Sequence, residues 1–406
     1  MYLFQTPLRL KVPASVVAVL ATLTVGIGPS LQAAPLQRPI LVAHTMPWFQ
    51  ADPTAQTWGW HWTMNAFNPE NMTGTEREIA THYYPLTGPY DSGDPAVIEY
   101  QLLLMKLAGI DGIMVDWYGV SQFADYPMIL RNTQLIFNEA DKLRMRYAVC
   151  YEDQTITHRV DAKNITPDSR IDAALKDINW ARQHWFTQPN YLRLKGEPVL
   201  FSFGSNGLTD DEWAHVLPNT APAVCYFSEI RRRSVASGTF DWPLPQIGLS
   251  AAFDYDRTAK KDGLFVPVVF PRFHDIYKQA KVSDGYPEIP DNKGQTFQTT
   301  LTQAWLSGAP LVQIATWNDW GEGTQIEPSR EFGTRDLEAI QNLRRKSDKK
   351  FTSLSSDLTI PSRILQLRNK YPHNATLQKK LDKVVNFIVS GKLTNARAAL
   401  NEIAEP

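Results

Sequence analysis

Several motifs that define common protein classes are missing from this sequence. Its 406 residues contain only two cysteines, and no cysteine or histidine spacing is typical of a zinc site. There is no HExxH metalloprotease motif, no Walker loop and no dinucleotide-binding glycine fingerprint. The formal net charge is -1, so no overall field attracts nucleic acid or an anionic membrane. We therefore expect no metal, no cofactor and no nucleic-acid partner.

Long apolar runs are also absent, except near the N-terminus. Two basic residues precede an apolar stretch at residues 12–28, and small residues follow it. This order is typical of a secretory signal peptide, which we assign to residues 1–34. An uncleaved membrane anchor is the alternative, but Pro13 and the shortness of the run favour cleavage. The expected location is secreted or periplasmic, without stable membrane insertion after signal removal.

The two cysteines, Cys150 and Cys225, both lie in short apolar runs that resemble strands. An exported protein permits a disulfide between them. We favour the other interpretation, two buried thiols on different strands.

Short apolar runs suited to buried parallel strands recur along residues 38–330, with helix-like stretches between them. This alternation predicts an α/β fold, a (β/α)8 TIM barrel, with a doubly wound open sheet as the alternative. The weakest strand prediction is the second, near residues 79–84. The predicted strands are residues 40–43, 79–84, 112–115, 147–150, 198–201, 223–226, 266–270 and 311–316. The predicted helices are residues 95–108, 128–143, 168–185, 210–217 and 296–306.

The character of the sequence changes after the barrel. A basic segment at residues 343–350 is most simply a solvated helix face, and later apolar residues follow helical spacing up to Gly391 and beyond. We assign residues 335–406 to a small C-terminal helical extension without catalytic residues.

The richest cluster of polar and aromatic residues follows the last predicted strand. Asp319 and Glu322 are three residues apart, and Trp317 and Trp320 flank them. Two carboxyl groups in different environments can serve as general acid and general base, and indole rings would raise the pKa of a carboxylic acid by desolvation. The alternative is a solvated acidic loop. Glu327, further along, is more simply an ion-pair partner.

Polar and aromatic residues also end the other predicted strands, where the active site of a parallel barrel lies. Acids beside aromatic faces suit a carbohydrate, since carboxylates bind hydroxyls or transfer protons and rings stack on sugar C–H faces. Each residue alone could be structural, but packing does not easily explain the whole set. The predicted substrate-binding residues are His44, Trp48, Trp60, His61, Asp116, Trp117, Tyr118, Glu152, Tyr226, His274, Trp317, Asn318 and Trp320.

Three segments together resemble glycoside hydrolase families 71 and 99. They are residues 82–95 (HYYPLTGPYDSGDP), residues 108–119 (AGIDGIMVDWYG) and residues 317–324 (WNDWGEGT). The resemblance covers roughly residues 38–330 and implies a (β/α)8 barrel that cleaves α-linked glycans, α-mannan or α-glucan, without a metal.

The resemblance implies that Glu322 is the general acid and places the other acid at Asp319. Family 99 loops usually have Glu at that position, whereas family 71 loops have Asp. The family 99 type of mechanism uses this acid to deprotonate the 2-hydroxyl of the sugar itself, whereas an inverting enzyme uses it to activate water. The shorter aspartate side chain favours the mechanism in which this acid activates water.

The sequence therefore predicts an exported glycosidase with Glu322 as general acid and Asp319 as general base. Two other hypotheses stay open: a non-catalytic glycan-binding barrel, and a protein of polysaccharide biosynthesis. The intact acid pair argues against the first, because a pure binder has no need of it. The signal-like N-terminus argues against the second, because activated sugar donors are normally cytoplasmic.

Overall fold

The computed structural model describes residues 38–52, 57–219 and 223–403, all within one compact unit. The predicted signal peptide at residues 1–34 lies outside the described residues. Within the described ranges, no helix has the length and apolar character needed to span a membrane.

A parallel β-sheet closes on itself at eight positions, which confirms the predicted TM barrel. Neighbouring strands pair in the order β1-β2-β3-β4-β5-β6-β7-β8 and back to β1. The seventh position is divided by Pro267, which has no N–H to donate to the sheet. Its first part pairs with β6 and its second part with β8, so together they close the ring. The strands are β1 Ile40–Thr45, β2 Gly112–Trp117, β3 Arg146–Glu152, β4 Glu197–Phe203, β5 Cys225–Glu229, β6 Gly238–Phe240, β7 Leu264–Val266 with Val268–Val269, and β8 Leu311–Ile314.

Helices cover the outside of the barrel and bury its core against the strands. The first is the best determined by sequence: Asp94 caps it by accepting a hydrogen bond from the Ala96 amide, and Gly109 ends it with a φ of 94°. The helices are α1 Pro95–Ala108, α2 Tyr126–Lys142, α3 Gln154–Asp161, α4 Arg170–His184, α5 Asp210–Val216, α6 Ser250–Asp262, α7 Gln295–Leu306, α8 Arg335–Ser347, α9 Ile360–Lys370, α10 Ala375–Val389 and α11 Leu393–Asn401. Short additional elements are the helical turns Trp60–Thr63, Pro167–Ser169, Leu217–Asn219, Asn292–Gly294 and Ser355–Thr359, and the strand pairs Ala51–Asp52 with Thr57–Trp58, Met72–Thr73 with Glu76–Arg77, and Arg193–Leu194 with the start of β4.

One strand prediction is wrong. Residues 79–84 form no strand; they lie in the long β1–α1 connection, where Tyr84 and Arg330 join by a backbone hydrogen bond. The missing barrel position is β6, only three residues long, which contains Gly238. A Cβ at Gly238 would lie 2.0 Å from the Leu264 carbonyl oxygen, so this close approach of β6 and β7 requires glycine.

Of the last three helices, the first packs beside α1 and the other two pack on each other. Helix α9 contacts α1, and Arg368 makes a bidentate ion pair with Glu99 at 2.7 and 2.9 Å. Helices α10 and α11 contact each other, and Leu381 of α10 and Ala396 of α11 are buried. A domain boundary near residue 335 stays a prediction, because helix α8 also covers the barrel and its Gln341 donates to the Leu107 carbonyl of α1.

Cys150 on β3 and Cys225 on β5 are free and buried. Strand β4 lies between their strands, and burial raises the pKa of both thiols. The interpretation as two buried thiols is confirmed.

Candidate active site

A cavity of about 220 Å³ opens at the C-terminal ends of the barrel strands. This is the end of a parallel barrel that carries catalytic residues. Asp319 and Glu322 both line it, so the carboxyl pair that was singled out in the sequence meets one open space. The lining residues are His44, Met46, Trp48, Phe49, Trp60, His61, Met64, Asp116, Glu152, Phe203, Trp242, Tyr277, Asp319, Gly321 and Glu322.

The acidic loop after β8 is closed by its own hydrogen bonds. The Thr316 amide donates to the Thr324 carbonyl at 3.1 Å, and their hydroxyl groups are 3.0 Å apart. Inside the loop, the Asp319 amide donates to the Thr316 hydroxyl oxygen, and the Glu322 amide donates to Asp319 Oδ1 at 3.0 Å. Gly323 has a φ of 69°, and a Cβ there would lie 2.5 Å from the His274 carbonyl oxygen. The two acids are thus held by a fixed turn.

Two buried side chains attach this loop to the rest of the barrel. Asn318 Oδ1 accepts from the Met46 amide, and its Nδ2 donates to the Met46 carbonyl. Arg272 donates to the Gln325 carbonyl at 3.0 Å and to Asp336 at 3.1 Å. Both residues position the loop from behind the cavity.

The surroundings of the two acids raise the pKa of each carboxyl group. Burial raises the pKa of Asp319 to about 6, and the backbone amides of Glu322 and Gly321 oppose this by bonding its carboxylate. Burial and the neighbouring Asp319 hold the pKa of Glu322 well above its usual range. Because the charge on Asp319 disfavours ionisation of Glu322, the pair releases its two protons in separate steps. The arrangement favours an ionised Asp319 beside a protonated Glu322.

A second pair of acids, Asp116 at the end of β2 and Glu152 at the end of β3, lines the same cavity. Burial raises the pKa of Asp116, and the charge on Asp319 raises it further. Burial, followed by the charge on Asp116, raises the pKa of Glu152 as well. Glu152 accepts a hydrogen bond from Gln154 at 2.9 Å, while Asp116 Oδ1 has no partner.

Two neutral histidines complete the polar lining. Burial lowers the pKa of His44 to about 3, and its Nε2 lies 3.9 Å from Asp116 Oδ1. Burial also lowers the pKa of His61 to about 3. Neither ring can therefore neutralise the cavity acids near neutral pH.

The described residues include one group that could be tested for metal binding. Ligand atoms of His44, Asp116 and Cys150 lie within 4.8 Å of one another. Metals bind the thiolate, but burial holds the pKa of Cys150 well above its usual range, which disfavours this form.

Aromatic side chains form the cavity wall. The Trp48 and His61 rings stack at 4.3 Å with an interplanar angle of 10°, and Trp60 is 42% exposed at the mouth. On the other side, Trp242 lies edge-on to His44 at 5.0 Å and to Phe203 at 4.8 Å. Such faces suit the C–H surfaces of a sugar ring.

Several residues predicted to bind substrate do not line the cavity. Trp317 and Trp320 are fully buried, so they do not wall the pocket as the sequence suggested. The Trp320 indole N–H donates to Glu327 and Tyr90, which places the ring beneath the loop. The predicted substrate-binding residues that do not line the cavity are Trp117, Tyr118, Tyr226, His274, Trp317, Asn318 and Trp320.

Strand geometry explains two of these positions, and a ring contact explains a third. Trp117 is one residue beyond the inward-facing Asp116, so it points outward and packs on Trp185. Tyr226 likewise stacks on Trp213 outside the barrel. His274 stacks on the His82 ring at 3.7 Å.

Glu327 is buried among neutral donors rather than in an ion pair. Its carboxyl group accepts from Tyr90 at 2.7 Å, Gln101 at 2.8 Å and the Trp320 indole at 3.2 Å. Burial raises its pKa to about 7. It connects the acidic loop to helix α1.

Seven lining residues escaped the sequence prediction: Met46, Phe49, Met64, Phe203, Trp242, Tyr277 and Gly321. Trp242 follows the missed strand β6, so the signal was a Phe-Asp-Trp sequence at an unrecognised strand end. Tyr277 lies in the β7–α7 connection, and its hydroxyl group hydrogen-bonds Glu322, which works against the rise in the Glu322 pKa.

Loss of Arg272 should destabilise the barrel. Arg272→Met would leave Asp336 buried without this partner and would free the Gln325 carbonyl, so we expect the free energy of unfolding to fall by about 3 kcal/mol or more. Arg257→Met, which removes an exposed pair with Asp254, is the control and should cost less than about 1 kcal/mol. Denaturant unfolding measures both, and equal small effects would contradict the positioning role.

Known proteins that resemble this chain include glycoside hydrolases of one family and proteins named after a glycosidase activity. The model of glycosyl hydrolase family 99 matches residues 48–229. Relatives named glycoprotein endo-alpha-1,2-mannosidase-like protein include one from Danio rerio, 22% identical over 300 residues, and one from Homo sapiens, 24% identical over 299 residues. Each match covers 66% of this chain, but the chain spans only 64% and 62% of those relatives' lengths.

Solved structures agree on the fold. The family 99 endo-alpha-mannosidase from Bacteroides thetaiotaomicron aligns with a TM-score of 0.59 over 76% of this chain and 98% of its own, at 18% sequence identity. The matched family model, the relatives and the barrel point to one assignment. This chain is similar to the proteins of glycosyl hydrolase family 99.

Proposed function

We propose that this protein is an exported glycoside hydrolase that cleaves α-linked glycans, with Glu322 as general acid and Asp319 as general base. The observation that carries the proposal is the placement of both carboxyl groups on one cavity at the C-terminal end of the barrel, with unequal pKa values. Enzymes that hydrolyse glycosides need such a pair. Export rests on the signal-like residues 1–34 alone.

The proposed chemistry uses both carboxyl groups in one step. Glu322 gives its proton to the glycosidic oxygen as the bond to the anomeric carbon breaks. Asp319 takes a proton from water, and the water oxygen attacks the anomeric carbon from the other face. The step ends with Glu322 ionised, Asp319 protonated and the anomeric configuration inverted. The short Asp319 side chain supports this route, because it leaves more room for water than glutamate would.

The relatives' names support α-mannan, and in particular an α-1,2 linkage, as the first substrate to test. α-Glucan is the second. The purified mature chain should be incubated with α-mannans and α-glucans of defined linkage, and proton NMR should identify the first anomer released. Release of a reducing sugar supports the proposal. Binding without release, across the whole panel, would instead indicate a glycan-binding barrel.

The pH dependence of turnover should be bell-shaped. Below about pH 6 the Asp319 carboxylate takes up a proton, so kcat/KM should fall as pH decreases through this value. Glu322 has the higher pKa, so it stays protonated there, and kcat/KM should fall again where it ionises at higher pH. Initial rates across the pH range, with stability checked at each pH, measure both limbs. An acid limb near the usual aspartate pKa would contradict the raised value.

A further inference from the structure

Acidic side chains outnumber basic ones in the lining of the cavity. Four of its lining side chains are carboxyl groups, and neither lysine nor arginine occurs among the lining residues of the described chain. The two histidines of the lining are held neutral by burial, as described above. The acids are Asp116, Glu152, Asp319 and Glu322.

Hydrolysis needs only two of these acids. We propose that the cavity selects a glycan that carries a free amino group, with the ammonium group held by Asp116 and Glu152. This inference rests on the proposed function, because it names the substrate class of the same site. A deacetylated amino sugar, α-linked to its neighbour, is the expected ligand.

Asp116 has the burial and the unsatisfied oxygen expected of a residue that binds a cationic ligand. This side chain is 2% exposed and lines the cavity, yet its Oδ1 has no hydrogen-bond partner. His44 Nε2 lies 3.9 Å from this oxygen, which is too far for a hydrogen bond. A buried acid left without a partner is costly unless a ligand supplies one. An ammonium group brings several donors and the opposite charge.

The wall of the cavity suits the same ligand. Trp48, Trp60 and Trp242 line it together with the acids. Aromatic faces attract ammonium groups through the negative charge of their π-systems, most strongly when the cation is desolvated. A cavity lined by both carboxyl groups and indoles therefore favours an ammonium over a neutral hydroxyl.

Binding of a cation should release protons. Asp116 is surrounded by titratable groups from β1, β3 and the β8 loop: His44, Cys150, Glu152 and Asp319. The charge on Asp319 raises the pKa of Asp116, and the charge on Asp116 raises the pKa of Glu152. A bound ammonium group favours the ionised form of each acid and lowers those values. A neutral sugar does not, so proton release separates the two ligand types.

Isothermal titration calorimetry tests the proposal without turnover. The probes are methyl α-mannopyranoside and methyl α-glucopyranoside, each with its 2-, 3-, 4- and 6-amino analogues and their N-acetyl forms. We expect one free amine to bind at least about tenfold more tightly than its hydroxyl and N-acetyl counterparts. Titrations in buffers of different ionisation enthalpy should show protons released for the amine alone.

Two variants and a control assign the effect. Asp116→Asn and Glu152→Gln should each reduce the preference for the amine by about tenfold, whereas Glu288→Gln, which removes an exposed acid outside the cavity, should leave it unchanged. If a variant fails to fold, the wild-type comparison still decides.

Equal binding of amine and hydroxyl forms by the wild-type protein overturns this proposal, whether or not glycans are hydrolysed. Tight amine binding without hydrolysis of any glycan supports it and refutes the proposed hydrolase instead.

Discussion

Glu322→Gln is expected to lower kcat on a natural α-linked oligosaccharide by about 10²- to 10⁴-fold, the usual contribution of a general acid. Glutamine keeps the size and polarity of the side chain but has no proton to give. The substrate affinity should change little, because the cavity keeps its shape. Glu288→Gln is the matched control, since Glu288 is exposed and lies outside the cavity lining; it should retain wild-type activity.

The leaving group separates loss of the acid from general damage. An aryl α-glycoside with a very acidic phenol leaves without protonation, so Glu322→Gln should lose much less activity on it than on the natural sugar. A uniform loss on both substrates would point to misfolding or misplacement. Full activity on the natural sugar would refute the assignment of Glu322 as the acid.

Asp319→Asn should cause a loss of similar size for a different reason. The asparagine oxygen can still accept from the Glu322 amide, so the loop should keep its geometry. The base is nevertheless gone, and kcat should fall by about 10²- to 10⁴-fold on natural and aryl substrates alike. This contrast in leaving-group dependence distinguishes the two acids. Its measurement needs only initial rates of both variants on the two substrate types.

Asp319→Glu tests the role of water in the same step. If water lies between the carboxylate and the anomeric carbon, the longer side chain occupies its place, and kcat should fall by about tenfold or more. An unchanged or faster variant would instead favour direct deprotonation of the sugar hydroxyl.

The barrel could be predicted largely because its strands are buried on both faces. Such strands have continuous apolar sequences, as in β1 and β8. The capping residues Asp94 and Gly109 mark the two ends of α1. Strand β6 could not be found in this way. It has three residues, including a glycine that tertiary packing requires, and so it leaves no apolar run.

The acid pair could be predicted because both residues lie within one loop. The sequence does not predict which aromatic residues face the cavity, because the direction of each side chain depends on strand register and on how the loops close. Trp117 follows the inward-facing Asp116 and so points outward, and Trp320 turns under the loop toward Glu327. Trp242 and Tyr277 reach the cavity from segments far apart in sequence, and only the closed barrel brings them together.

A crystal structure of the Glu322→Gln variant with an uncleaved α-linked oligosaccharide would show whether the two acids flank the bond that is cleaved. We expect the glycosidic oxygen within about 2.6–3.2 Å of the side chain at position 322, with the anomeric carbon facing Asp319. A sugar bound elsewhere on the barrel, or one in this cavity with its glycosidic oxygen out of reach of both side chains, would contradict it.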